Sequence, residues 1–216
     1  MAIVIHGIPG SPYVRMPILA CEEKGVAWRL EAMGFGDQNS PEHLARQPFG
    51  RIPAIEHGDF KLYECQAILR YIDAAFEGPR LTPQEPKAMA RMSQVLNILD
   101  WYVMPSLTGA IGFNRIVKPM LGRPVDEAAI AQAVPLARTS LQALEAILGS
   151  NRYFAGDELS LADVAAVAHL EMVPASPEGA ELIAGSPLLG WLGRMGERES
   201  VRNSTMQKMM GAPAPA

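Results

Sequence analysis

Two short segments in the first part of the chain contain residues that can do chemistry. Ser11 follows HGIPG and precedes Pro12, at the junction of a predicted strand and a predicted helix. A serine before a proline is typical of a helix start, with serine as the N-cap, and this role requires no catalysis. Glu64 and Cys65 precede an apolar helix, whose first N–H groups form an anion site without help from any side chain. The second segment therefore suits a carboxylate ligand.

Short β-branched runs and turn residues predict the elements that position these side chains. We expect strands at residues 3–6, 27–33, 54–56 and 60–63, a helix after Pro12 that ends near Gly25, and a helix at residues 64–76. A short helix is predicted near residues 41–46. His57-Gly58-Asp59 is short enough to join the last two strands as an antiparallel hairpin. This order predicts a small mixed sheet in a thioredoxin-like layer.

The pattern changes near residue 79, where long helical periods replace short strands. The segment EGPRLTPQEP has linker chemistry, so we predict a first domain at 1–78, a linker at 79–86, a helical domain at 87–210 and a disordered tail at 211–216. Helices are expected at 87–104, 126–148, 161–172 and 188–197, with a break at Pro105 and a kink or two shorter helices at Pro135. Ser160 and Asp163 fit a capping box with a structural role.

Composition excludes several functional classes. The chain has 216 residues, a formal net charge of -4 and a pI near 5.6, so no positive field favours nucleic acid as a partner. Its two cysteines, Cys21 and Cys65, form neither a CxxC pair nor a metal spacing, which favours a reducing, cytoplasmic location and no metal. The longest charge-free run, 101–114, contains Pro105 and two glycines and is shorter than the roughly 20 apolar residues that a membrane span needs. No membrane segment is predicted.

The segments RQPFGRIPAIEHGDFKLYECQAILRYI at 46–72 and HGIPGSPYVR at 6–15 together resemble the glutathione-binding half of the cytosolic glutathione transferases. The resemblance is closest to the serine-using phi class. It implies an α/β plus all-α fold, in which a thioredoxin-like N-terminal domain is followed by an all-helical C-terminal domain. It also implies glutathione as cosubstrate, a small hydrophobic electrophile as second substrate, and a homodimer.

The resemblance assigns Ser11 to the hydroxyl that hydrogen-bonds the sulfur of glutathione. A free thiol with a pKa of about 8.5 is only a few per cent thiolate at pH 7. A donated hydrogen bond and the positive end of a helix both favour the thiolate. Arg15 can add a charge or organise the loop, and the second role is preferred. Tyr13 is a competing hydroxyl, but it lies inside the predicted helix start.

Other members of the family have a cis-proline where this chain has Ile52-Pro53, and they present the preceding backbone to the peptide part of glutathione. We therefore predict that this bond is cis. Glu64-Cys65 corresponds to a Glu-Ser pair that holds the γ-glutamyl carboxylate. Because a thiol is a weak donor, Cys65 predicts a weaker grip, by roughly 1 kcal/mol; a small buried apolar role is the alternative. The resemblance assigns Arg51 to the glycine end of glutathione. Gln38 and Asn39 fall near a His-Lys pair that binds the terminal carboxylate in phi-like members, but for these two a solvated turn is the preferred interpretation.

One departure from the family concerns Pro17, which falls where the first helix of other members is continuous. A proline inside a helix costs about 3 kcal/mol or more and kinks it, so it bears on the placement of Ser11. The loop before Ser11 has no cysteine, which disfavours disulfide reduction. The predicted activity is conjugation. Peroxide reduction, isomerisation or dehalogenation at the same site, or a noncatalytic binding role, stay open as alternatives.

Overall fold

A computed structural model describes residues 1–209, and the predicted tail at 211–216 lies outside them. Residues 1–82 form a compact unit together with the C-terminal segment that begins at Gly196. Residues 83–195 form a second unit.

A four-stranded mixed sheet is the centre of the first unit. The strands are β1 at Ile3–Gly7, β2 at Trp28–Ala32, β3 at Ala54–His57 and β4 at Phe60–Tyr63, in the spatial order β2-β1-β3-β4. β1 is parallel to β2 and antiparallel to β3, and β3 pairs with β4 through the predicted hairpin. Gly58 supplies the positive φ of 65° in that turn. The thioredoxin-like prediction is confirmed.

Three helices accompany the sheet: α1 at Pro12–Lys24, α2 at Pro41–Leu44 and α3 at Cys65–Ala75. A short 3₁₀ turn at Asp37–Asn39 precedes α2. Helix α3 buries a stripe at helical spacing, namely Cys65, Ile68, Leu69 and Ile72. Helix α1 ends at Gly25, whose φ of 67° is left-handed. At its start α1 lies so close to β1 that a Cβ added at Gly7 would be 2.3 Å from Val14 Cγ2.

Helix α1 runs through Pro17 as one element, so the proline does not divide the helix. Pro17 itself is buried. Because proline has no N–H, it cannot donate the usual helical hydrogen bond to the carbonyl four residues before it, which is that of Tyr13. The consequence for the site is described below.

The C-terminal segment corrects the predicted extent of the helical domain, because it packs on α1 of the first unit. Helices Glu199–Asn203 and Met206–Met209 belong to it. Arg198 forms a bidentate pair with Glu23, with N···O distances of 2.7 and 2.6 Å. Asn203 donates to Glu22 at 3.1 Å. These contacts join residues about 180 positions apart, so no local pattern predicts them.

The start of the predicted linker is fixed to the first unit by Asp73. Its carboxylate accepts the backbone N–H groups of Leu81 and Thr82, each at 2.9 Å, and Lys24 Nζ at 3.1 Å. Burial raises the pKa of Asp73, but these hydrogen bonds outweigh burial and the net pKa is lowered. The carboxylate is therefore charged at neutral pH and anchors the chain where it leaves α3.

The second unit is helical, as predicted. Its helices are Pro86–Ile98, Leu99–Val117, Lys118–Met120, Glu127–Leu148, Leu161–Leu170, Pro177–Ile183 and Pro187–Gly196, with a 3₁₀ turn at Val173–Ala175. Every residue of Leu161–Leu170 is buried, which places this helix at the centre of the unit's core. None of the helices within residues 1–209 is long and apolar enough to cross a membrane.

Two prolines lie inside helices of this unit, and one of them contradicts its prediction. The predicted break at Pro105 is wrong, because the helical path continues from Ile98 through Leu99–Val117. This segment has a wider, π-type winding, and its last bond runs from Lys118 N–H to Phe113 O, five residues back. A wider turn relieves the clash between a proline ring and the carbonyl four residues before it. Pro135 lies inside the single helix Glu127–Leu148, which excludes the alternative of two shorter helices, and the kink stays a prediction.

The predicted capping box at Ser160 and Asp163 is confirmed. The Asp163 carboxylate accepts the Ser160 N–H at 3.1 Å and the Ser160 hydroxyl at 2.9 Å. It also accepts the Phe154 N–H and the Trp191 indole N–H, both at 3.0 Å. Both capping residues are fully buried. The cap therefore joins the start of Leu161–Leu170 to two other parts of the unit's core.

Candidate active site

One end of the sheet brings three of the predicted site segments together. His6 pairs with Ala54, so the end of β1 lies beside the start of β3, where Pro53 precedes the strand. Ala54 pairs in turn with Tyr63, so β4 ends at the same edge and leads directly into Glu64 and Cys65. The loop after β1 ends at Ser11. Topology therefore places Ser11, Pro53 and Glu64-Cys65 at one end of the sheet, although they are far apart in the sequence.

Ser11 is the N-cap of α1 by its backbone, with φ -66° and ψ 128° and with Pro12 at the first helical position. Its hydroxyl forms no capping hydrogen bond. The side chain is partly exposed, and no acidic residue lies in the first turn of α1. The hydroxyl is therefore available to a ligand at the positive end of the helix.

The loop before Ser11 is closely packed. Gly10 has a φ of 86°, and a Cβ at this position would lie 3.0 Å from Met206 Sδ in the C-terminal segment. The positive φ favours glycine there, and a Cβ would also push the Met206 side chain aside. The segment that packs on α1 thus also contacts the loop that positions Ser11.

The Ile52-Pro53 peptide bond is cis, as predicted. Pro53 is buried and Ile52 is partly exposed. None of the backbone hydrogen bonds outside the regular elements of residues 1–209 involves Ile52. The backbone N–H and C=O groups of Ile52, at the sheet end, therefore have no main-chain partner among those hydrogen bonds.

Glu64 has φ 70° and ψ 112°, the one non-glycine residue within 1–209 that has a positive φ. Its side chain is exposed. A left-handed backbone at a residue with a Cβ costs on the order of 1–3 kcal/mol, and such residues cluster at binding sites. The conformation places Glu64 at the N-cap of α3, whose first N–H groups form the predicted anion site.

Cys65 is buried, with only 9% of its surface exposed. Its thiol donates to the main-chain oxygen of Tyr13 in the first turn of α1, at an S···O distance of 3.0 Å. The sequence predicted a carboxylate ligand, or simple burial, for this thiol and missed the contact with α1. The other cysteine, Cys21, is fully buried, and burial raises its pKa to about 12, so that thiol stays protonated.

Gln38, Asn39 and Arg51 lie next to one another through Gly50. A Cβ at Gly50, whose φ is 62°, would be 2.8 Å from Asn39 Oδ1 and 3.6 Å from the Gln38 carbonyl oxygen. Asn39 and Arg51 are exposed, and Gln38 is partly exposed. The Gln38 side chain accepts the Gly36 N–H at 2.9 Å and so stabilises its own turn. The three predicted residues therefore form one group beside the cis peptide bond.

Two family models together match most of the chain. The glutathione S-transferase N-terminal domain matches residues 5–80, and the glutathione S-transferase C-terminal domain matches residues 78–199. The chain belongs to the glutathione transferase family.

Relatives of this transferase include plant enzymes of the phi class, which confirms the resemblance seen in the sequence. Glutathione S-transferase 4 of Zea mays is 31% identical over 216 residues, covering 99% of this chain and 96% of the relative. Glutathione S-transferase F10 of Arabidopsis thaliana is 36% identical over 152 residues, covering 68% of this chain and 70% of the relative.

Solved structures show the same fold. Glutathione transferase F7 from Populus trichocarpa superimposes with a TM-score of 0.85 at 27% identity, covering 97% of this chain and 99% of that structure. Glutathione S-transferase I from maize, in complex with an atrazine glutathione conjugate, gives a TM-score of 0.83 at 28% identity, covering 99% and 100%.

Two buried polar residues that the sequence analysis missed hold the loop before the cis peptide bond of this transferase. Gln47 Oε1 accepts the Phe49 N–H at 2.7 Å and the Arg51 N–H at 3.1 Å. His43 Nε2 lies 2.7 Å from the Arg51 carbonyl oxygen, so this nitrogen carries the proton of that bond. Both side chains are about 1% exposed. Nothing in their local sequence distinguishes them from surface polar residues.

Arg15 donates hydrogen bonds to other parts of the protein, in line with the preference for an organising role. Its Nε donates to Ser204 Oγ at 3.1 Å and its Nη2 to the Val201 carbonyl at 3.2 Å. The residue is 8% exposed. It therefore holds the C-terminal segment against α1.

A polar cleft of about 490 Å³ opens elsewhere on the first unit and contains none of Ser11, Pro53, Glu64 or Cys65. Its charged residues pair with one another, since Arg46 bonds both Glu42 and Glu56 at 2.9 Å. These two carboxylates are therefore paired within the cleft. Within residues 1–209, no group of histidine, cysteine and acidic side chains could hold a metal ion.

Proposed function

We propose that this transferase binds glutathione across the sheet end defined by Ser11, Pro53 and Glu64-Cys65, and conjugates its sulfur to a small hydrophobic electrophile. The observation that carries the proposal is the Ser11 hydroxyl, which caps no helix although its backbone occupies the N-cap position. It is thus free to donate a hydrogen bond to a sulfur anion.

Two features of the site favour the thiolate over the thiol. A hydrogen bond from the Ser11 hydroxyl stabilises the thiolate more than the thiol. The N-terminus of α1 adds a positive partial charge beside it. The first turn of α1 contains no acidic side chain that would oppose this effect. The bound thiol therefore has a pKa below the ordinary value of about 8.5 and is ionised to a larger extent at neutral pH.

The remaining predicted residues hold the rest of the tripeptide. The backbone of Ile52 pairs with its peptide groups, and the first N–H groups of α3 bind the γ-glutamyl carboxylate. Arg51, with Gln38 and Asn39 beside it, faces the glycine carboxylate, for which a guanidinium is well suited. This arrangement uses one continuous strip of the first unit.

In the reaction, the sulfur forms a bond to the electrophilic carbon while the leaving group departs with its electron pair. Related enzymes support conjugation as the reaction class, since one solved structure holds an atrazine glutathione conjugate and another holds lactoylglutathione. We further propose that the protein acts in the cytoplasm, in detoxification of small electrophiles.

Ultraviolet titration of glutathione bound to the protein tests the proposal. The thiolate absorbance of the complex should appear at a lower pH than that of free glutathione, and Ser11→Ala should return it toward the free value. A panel of aryl halides, hydroperoxides and isomerisation substrates then identifies the reaction class. An unchanged thiol pKa in the complex would contradict the proposal.

A homodimer is the proposed assembly. Each unit exposes large aromatic side chains, with Phe49 70% exposed on the first unit and Trp101 71% exposed on the second. Exposed aromatic residues are enriched at protein interfaces. Light scattering at several concentrations should give twice the monomer mass of 23.4 kDa, and a monomer mass throughout would exclude the dimer.

A further inference from the structure

Helix α3 contacts the first turn of α1 through Cys65 and Tyr13. The carbonyl of Tyr13 would normally accept the N–H of residue 17, four positions on. Residue 17 is proline and has no N–H to donate. The Cys65 thiol lies 3.0 Å from this carbonyl oxygen and donates to it. A side chain from α3 thus supplies a hydrogen bond that α1 cannot make internally.

We propose that Cys65 is a positioning residue for Ser11, acting through the Tyr13 carbonyl to which Pro17 cannot donate. This inference rests on the proposed function of the site. It assigns the thiol hydrogen to a main-chain oxygen of α1 rather than to a carboxylate of the ligand. The γ-glutamyl carboxylate is then bound by the backbone N–H groups of α3.

The bond can influence Ser11 because Tyr13 lies in the same helical turn. The Ser11 carbonyl accepts the N–H groups of Val14 and Arg15, at 3.1 and 3.0 Å, so its backbone moves with that turn. Cys65 is the first residue of α3, whose start follows directly from the end of β4. The thiol therefore fixes the first turn of α1 relative to the sheet end at which glutathione binds.

The proposal predicts that the effect of a substitution at residue 65 depends on which residue occupies position 17. Replacing Pro17 with valine restores an N–H that the Tyr13 carbonyl can accept, and valine nearly preserves the apolar volume. Cys65→Ala should then matter only while residue 17 is proline. Cys65→Ser keeps a donor of similar size and should retain the contact.

The experiment is a double-mutant cycle on the full-length protein, with Cys65→Ala, Pro17→Val and their combination. The readouts are the thiol pKa of bound glutathione, kcat, and the KM for glutathione with an aryl halide as second substrate. Cys65→Ala alone should lower kcat about fivefold and raise the thiol pKa, as expected for one lost neutral hydrogen bond. The double variant and Cys65→Ser should both lie within about twofold of the parent, a recovery that packing alone does not give. Pro17→Ala serves in place of Pro17→Val if the valine variant does not fold.

Ile68→Val is the matched control, because it removes one methylene from the buried face of the same helix and leaves the Tyr13 contact in place. It should lower the unfolding midpoint without changing the thiol pKa. An equal rise in the pKa with Ile68→Val would show that lost packing explains the effect, and would overturn the inference.

Three kinetic outcomes would also overturn it: an equal effect of Cys65→Ala in the parent and in the Pro17→Val background, no effect in either, or a rise in the KM for glutathione alone. The last outcome would indicate direct contact between the thiol and the ligand. Ser11→Ala in the same series separates the two proposals. If Ser11→Ala removes the pKa shift while residues 65 and 17 act independently, only the positioning role fails.

Discussion

Ser11 and Ser160 occupy the same position in two different helices, but their hydroxyls differ. The Ser160 hydroxyl forms a hydrogen bond within the first turn of its helix, and the Ser11 hydroxyl forms no capping bond. In both, the N–H of the third helical residue donates to the serine main-chain carbonyl, Val14 at 3.1 Å and Asp163 at 3.0 Å. At Ser160 the hydroxyl shares this N–H with the carbonyl, as one half of the capping box. The Ser160 hydroxyl donates to Asp163 at 2.9 Å, whereas the third residue after Ser11 is valine and offers no acceptor.

A second comparison sharpens this difference, because the chain contains four Ser-Pro helix starts. In three of them the hydroxyl accepts a backbone N–H from the first turn: Ser40 from His43 at 3.2 Å, Ser176 from Gly179 at 3.1 Å, and Ser186 from Leu188 at 3.1 Å. Ser11 alone of the four does not use its hydroxyl in this way. Identical dipeptides thus provide a capping hydroxyl in three places and a hydroxyl without a capping bond in the fourth.

Ser11→Ala should give the largest effect of the series. It removes one hydrogen-bond donor to the sulfur anion, and the loss of one such donor costs roughly 100-fold in turnover at comparable sites. We expect kcat/KM with an aryl halide to fall by about this factor. Steady-state kinetics measures the change, and a fall of less than about threefold would place sulfur activation elsewhere, with Tyr13 as the next hydroxyl to replace.

The pH profile gives the same variant a second readout. The rate rises with pH as the bound thiol ionises, so its midpoint reports the thiol pKa. In the parent this midpoint should lie below about 8.5, the ordinary value for a thiol. In Ser11→Ala it should move upward, toward that value. A profile that does not move would show that the hydroxyl has no effect on ionisation.

The fold and the site differ in how well the sequence predicts them. Strand positions follow from short β-branched runs, and the His57-Gly58-Asp59 turn fixes a hairpin, because both signals act between near neighbours. Whether the Ser11 hydroxyl caps its helix does not follow from near neighbours in this way. The same Ser-Pro dipeptide gives a capping hydroxyl at three helix starts and one without a capping bond at Ser11, so the dipeptide itself does not distinguish them.

Two predictions that were wrong and one contact that the sequence did not indicate share a physical cause. Pro105 was expected to break a helix, yet wider winding accommodates it within Leu99–Val117. The C-terminal segment was assigned to the helical domain, yet Arg15 and Glu23 hold it in the first unit. The partner of Cys65 is 52 positions away in the chain. Each outcome depends on a contact between distant residues or on a rare backbone geometry, and neither has a local sequence signal.

Ser160→Ala should produce the largest loss of stability among the serine variants. It removes a buried hydrogen bond to the Asp163 carboxylate, and bonds to charged groups contribute about 1.5–3 kcal/mol. We expect the free energy of unfolding to fall by about 2 kcal/mol in urea titrations, with the thiol pKa of bound glutathione unchanged. A change in that pKa would show that the two helix starts are not functionally distinct.

Ser176→Ala should have a smaller effect of the same kind. The hydroxyl caps Pro177–Ile183 by accepting the Gly179 N–H, and loss of such a cap costs about 1 kcal/mol. The free energy of unfolding should fall by this amount and kcat/KM should stay within about twofold of the parent. Loss of turnover without loss of stability would contradict the assignment of this Ser-Pro start to folding alone.

The smallest expected effect is the one that tests the comparison most directly. Because the Ser11 hydroxyl forms no capping bond, Ser11→Ala should change the free energy of unfolding by less than about 0.5 kcal/mol, the range of substitutions away from stabilising contacts. Urea titration without glutathione measures it beside Ser176→Ala. A loss near the roughly 1 kcal/mol of a cap would mean that the hydroxyl caps α1 in solution. Glutathione would then have to displace a hydrogen bond before Ser11 could reach the sulfur, and its affinity would fall accordingly.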